Sequence, residues 1–144
     1  MNANQFIATI VDEQVIRAIQ SAEARSSGEL RVFVTDKSVE HPISEAWKTF
    51  ERLNMRGTAQ RNAVLIFVAP QARKFAIVAD EGIHHFCKEA FWNQLAHQLS
   101  EGFKAGDYTG SLVRLIDDIG QALAVHFPRL ENDANELPDE VLRD

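Results

Sequence analysis

The stretch from Arg61 to Ile83 constrains this chain more than any other. Ala63 to Ala69 is apolar without interruption, which suits a central strand covered on both faces. Pro70 to Arg73 is a turn of hairpin length, and Phe75 to Ala79 reads as the returning strand. Asp80, Glu81 and Gly82 follow at once, so two carboxylates and a glycine stand where the sheet gives way to a helix.

The flanking segments fill in an α/β pattern. Val15, Ile16, Ile19 and Ala22 form one apolar stripe of a helix from about Asp12, the capping residue, to Arg25, and Phe6, Ile7, Ile10 and Val11 extend it backwards. Ser26-Ser27-Gly28 breaks that helix, and Glu29 to Asp36 alternates as a first strand, with Leu30, Val32 and Val34 on one face. Ser44 is placed to cap a helix carrying Ala46, Trp47, Phe50 and Leu53, which Gly57 ends. Ile83, Phe86, Cys87, Ala90, Phe91, Leu95 and Leu99 predict one helix from Gly82 to about Glu101. A last helix through Leu112, Leu115, Ile116, Ile119 and Leu123 stops at Pro128.

Strands one and two are joined through a helix and are expected to be parallel, and the hairpin makes strand three antiparallel. The fold class is therefore α/β, a three-layer α/β/α sandwich with a small mixed sheet. A chain of 144 residues suits one domain, here 1–128, followed by an acidic tail over 129–144. That tail holds six acids against two arginines, −4 of the total −6, leaving −2 on the body. No cluster of Lys and Arg suggests a nucleic-acid partner. Without an apolar run of about 20 residues, and without a basic, apolar leader, the sequence reads as soluble and cytoplasmic, with no direct membrane insertion.

In this topology Glu29, Asn62, Asp80 and Glu81 gather at one rim, and Asp107 joins them if the loop Gly106 to Gly110 folds back to it. Glu29, Asp80, Glu81 and Asp107 are the candidate metal ligands, and hard oxygens from separate loops suit Ca²⁺. The competing structural account has Asp80 capping the helix at Gly82, Glu81 favouring its dipole and Glu29 pairing with Arg61. His84 with Cys87 supplies too few ligands for zinc, and Cys87 reads as a buried, inert thiol. Trp47, Phe50, Phe86, Phe91 and Trp92 read as core or near-core aromatics. No nucleophile elbow, phosphate loop or dinucleotide motif is present, so no catalytic residue can be named.

The segments Ser27 to Val32, Arg61 to Val68, Phe75 to Ile83 and Phe103 to Gly110, in this order, resemble the TPM domain family, and the ending from Asn132 to Asp139 resembles its short bacterial members. The resemblance covers about Val11 to Pro128 and implies an α/β/α sandwich. Family members are linked to photosystem II repair and acid phosphatase activity, to Ca²⁺ binding, or to an auxiliary role beside membrane proteins. Many carry an export signal and a membrane helix that this sequence lacks. The expected function is thus a module binding a divalent cation and a protein partner as an accessory factor of a membrane complex. A metal-assisted phosphatase and a purely structural interaction domain are the alternatives.

Overall fold

A computed structural model describes residues 1–10, 12–129 and 141–144. Helix α1 (Ala3–Thr9) opens with a capping box in which Asn2 and Gln5 satisfy each other's backbone amides. Ile10 then takes an extended conformation, so the N-terminal apolar stripe is divided between α1 and α2 (Asp12–Ala24) instead of running through one helix. β1 (Glu29–Val34) follows, then α3 (Pro42–Arg52). Pro42 starts α3, two residues before the expected Ser44 cap, because a first-turn residue needs no amide donor. Asn54, left-handed at φ 56°, turns the chain into a short 3₁₀ segment, Met55–Gly57.

β2 (Ala63–Ala69) and β3 (Lys74–Ala79) form the expected hairpin. The long helix expected from Gly82 is two helices, α4 (Glu81–Phe86) and α5 (Glu89–Lys104), because Cys87 and Lys88 are extended. α6 (Tyr108–His126) completes the helical layer, and β4 (Val141–Arg143) ends the described chain.

The sheet order is β3-β2-β1-β4, with β1 parallel to both β2 and β4 and β3 antiparallel to β2. Leu30, Val32, Val34, Val64, Ile66 and Val68 face a core shared with α1, α2, α4, α5 and α6. Phe33, Leu65, Phe67, Ala76 and Val78 face a second core with Ala46 and Phe50 of α3. The sandwich and its mixed sheet are therefore as the periodicity implied, and β2 is buried at every residue. Most of the segment expected as an acidic tail lies outside the described residues, but its far end, β4, is a strand of the sheet. Among the described residues, no helix is long and apolar enough to cross a membrane.

Candidate functional site

At the start of β2 the chain makes a tight knot. Arg61 is left-handed at φ 53°, a conformation that costs a side-chain-bearing residue about 1–2 kcal/mol. Its carbonyl accepts from Gly82 N–H at 2.8 Å, and Asp80 N–H donates to Ala63 at 2.9 Å. These bonds tie the end of β3 to the turn that precedes β2. A Cβ on Gly82 would stand 2.1 Å from the Gln60 carbonyl oxygen, so the approach requires glycine.

Asp80 is wholly buried at the centre of this knot. Its Oδ1 accepts from Glu81 N–H at 2.8 Å, from Arg61 Nη2 at 3.0 Å and from Arg56 Nη1 at 3.1 Å. Its Oδ2 accepts from Arg61 Nε at 2.8 Å, completing a bidentate fork. Arg61 also pairs with Glu81 at 3.3 Å. The hydrogen bond that Arg61 donates to Asp80, with the charges of Asp80, Glu81 and Glu51, outweighs desolvation and raises the Arg61 pKa above its ordinary value. The Arg56 guanidinium lies over the rings of Trp47 and Phe50, 5.3 and 5.5 Å from their centroids, and pairs with Glu51.

This is the structural arrangement at Asp80: a helix cap held by two arginines. One detail differs from the sequence expectation, since Arg61 pairs with Asp80 and Glu81, not with Glu29. Glu29 stands opposite Ala63 in the parallel register, one strand away from β3, so its backbone is about 10 Å from that of Asp80. It is buried and engaged in an interaction of its own. Asn62, just before β2, donates to Ser27 Oγ at 3.1 Å.

Asp107 is elsewhere. It caps α6, its Oδ1 accepting from Gly110 N–H at 3.1 Å, and its Oδ2 meets Arg114 at 3.0 Å. The neighbouring rings of Phe103 and Tyr108 pack on Phe6, and Phe103 also packs on Phe75. Phe75 lies five residues before Asp80 on β3, about 16 Å along the strand. Gly106, at φ 79°, turns the chain between α5 and α6 at that far end, on the helical face of the sheet. The four proposed ligands therefore do not surround one volume. Among the described residues no group of three or more His, Cys, Asp or Glu side chains could hold a metal ion. The carboxylates do not fit a shared calcium site: Asp80 and Asp107 already serve as caps and ion-pair partners. Replacing Asp107 with alanine is expected to remove about 1 kcal/mol of stability, the worth of an N-cap, measurable by urea denaturation with and without Ca²⁺.

A second feature escaped the sequence pattern. The Cys87 break turns Phe86 outward to 48% exposure, although it falls on the apolar stripe. Its ring stacks on His126 at 4.6 Å and 11°, and meets His85 and Phe127 edge-on. Val125, the residue before His126, is 73% exposed. The two polar histidines directly before Phe86 were the available signal. Cys87 itself is buried as expected, and desolvation pushes its thiol pKa up. Arg56 also went unmarked, since nothing local announces its reach to Asp80.

An α/β/α sandwich whose helix–sheet rim is closed by a helix-capping aspartate paired with two arginines defines the class of scaffold. Residues 2–122 match the TPM domain family, and this chain belongs to that family. It is similar to the BA42 protein of the psychrophilic bacterium Bizionia argentinensis, with 33% identity over 92% of each chain and a TM-score of 0.84. The N-terminal domain of the cg2496 protein from Corynebacterium glutamicum shares 16% identity over 87% of this chain and 80% of that one, with a TM-score of 0.60. The N-terminal domain of a protein from P. gingivalis shares 16% over 81% and 76%, at 0.57. The last two share the fold. No curated protein matches the chain.

Proposed function

We propose that this TPM domain is a non-catalytic accessory module that binds a protein partner through the surface around Phe86. The observation that supports it is an exposed phenylalanine held in place by stacking on His126 and an edge-on contact with Phe127, with Val125, the residue before His126, also exposed. A pre-ordered aromatic loses little freedom on binding and serves well as an interface anchor. The family resemblance is the support for a membrane complex as the location of that partner. The calcium half of the expected function draws no support from the carboxylate geometry.

The phosphatase alternative asks Asp80 or Glu81 to handle a proton or hold an ion, and both Asp80 oxygens are committed to arginines and a helix cap. One experiment separates these readings. A chain carrying Phe86→Ser and Val125→Ser should stay folded, losing no more than about 1–2 kcal/mol, the worth of the aromatic contacts of Phe86, and lose a protein retained from native lysate by the unmodified chain. An identical retained set overturns the interface. Phosphomonoester turnover that disappears in a folded Asp80→Asn variant overturns the non-catalytic reading.

A further inference from the structure

The outer edge of β1 presents a different kind of site. Every residue of β1 is buried, and Leu30, Val32 and Val34 have no exposed surface. The strand that covers its outer edge, β4, has only three residues, none of them buried. They pair Val141 with Val32, Leu142 with Phe33 and Arg143 with Val34. Val141 packs on the core of α2 and α6, and Leu142 on the core of α3, one to each face as strand alternation requires. Asp144 then takes the donors just past β1: Thr35 Oγ1 donates to its Oδ2 at 2.7 Å and Asp36 N–H to its Oδ1 at 2.9 Å. Desolvation opposes the charge, but these two bonds and Lys37 hold the Asp144 carboxyl below the usual carboxylate range. Arg143 reaches Asn4 Oδ1 at 2.6 Å.

The edge thus reads an extended segment in three ways: by its parallel direction, by one apolar side chain on each face, and by a carboxylate two residues after the second apolar one. Strand addition works on this logic, with main-chain bonds for affinity and alternate side chains for specificity. A three-residue parallel strand whose residues are only partly buried belongs to the less stable part of a fold. The strand beneath it is wholly apolar on one face and would be a ready template if uncovered.

We propose that the outer edge of β1 is an acceptor site for an extended segment of a partner protein bearing an apolar pair, one further residue and then a carboxylate, with Val141 to Asp144 as the resident occupant that the partner displaces. This site shares no residue with the Phe86 surface and stands or falls independently of it.

The test uses the full chain carrying Leu142→Ser and Asp144→Asn, and a fluorescein-labelled peptide with the sequence of residues 139–144. The folded variant should bind the peptide at least about tenfold more tightly than the unmodified chain, whose tethered strand competes at an effective concentration on the order of millimolar. Changing the peptide's own aspartate to asparagine should weaken binding by about tenfold, the effect of one charge-assisted hydrogen bond. Amide shifts should concentrate on Val32 to Asp36. A folded variant that binds no peptide, or shifts that lie elsewhere, overturns the proposal. Concentration-dependent dimers of the unmodified chain that the peptide dissolves would assign the edge to exchange between copies and overturn the foreign partner. Should the variant fail to fold, hydrogen exchange on the unmodified chain decides: β4 amides should exchange at least about tenfold faster than β2 amides, and equal protection rules out a displaceable strand.

Discussion

Gly82→Ala is expected to destabilise the protein by about 3 kcal/mol or more, enough to shift its urea midpoint by a molar unit or so. The new methyl carbon would lie 2.1 Å from the Gln60 carbonyl oxygen and 2.5 Å from that of Arg61. Both neighbours are backbone, so no side chain can swing aside. Relief requires moving the Thr58–Arg61 turn or the start of α4, and either motion strains the 2.8 Å bond from Gly82 N–H to Arg61. Overpacking costs about 1–3 kcal/mol where side chains absorb it, and more where only backbone can yield. Gly106→Ala is the control: that glycine has φ 79° but open space around it, so only the left-handed penalty of about 1–2 kcal/mol applies. A Gly82→Ala loss no larger than that of Gly106→Ala would show that the knot is loose.

Asp80→Ala should cost about 3 kcal/mol. Removing one member of a buried ion pair typically costs 3–5 kcal/mol, and the half-exposed arginines, which water can rehydrate, set the lower end here. The lost cap on Glu81 N–H contributes about 1 kcal/mol of that total. Asp80→Asn keeps an acceptor for the cap but loses the charge, so it should fall between the native chain and the alanine variant. A double-mutant cycle between Asp80 and Arg61 should give clear coupling, whereas a cycle between Asp80 and Asp107 should be additive, because the two sit at opposite ends of β3. A loss below about 1 kcal/mol for Asp80→Ala would return this aspartate to the list of residues held for function at no structural cost.

The contrast between these two residues and Asp107 shows how far the sequence could be read. The rim at Asp80 and Gly82 was visible because a strand period, a capping residue and a helical stripe follow one another without a gap. The cap on α6 was equally local, but the sequence pattern gave no sense of which end of the sheet it would reach. The α5–α6 turn packs on Phe75 through Phe103, and that contact spans more than twenty residues of chain. The exposure of Phe86 follows from the two extended residues, Cys87 and Lys88, inside what reads as one continuous apolar helix.

Alternation and helical spacing, taken alone, determined the sandwich, the parallel β1–β2 pair, the hairpin and the buried thiol, because each depends on neighbours within a few residues or on how an apolar face must be covered. Tertiary structure decided which arginines close on Asp80, that Asp107 lies far from it, and that Val141 to Arg143 form a fourth strand. Those outcomes depend on where distant segments meet, and the reach of a charged side chain or the pairing of a short strand leaves no periodic trace along the chain.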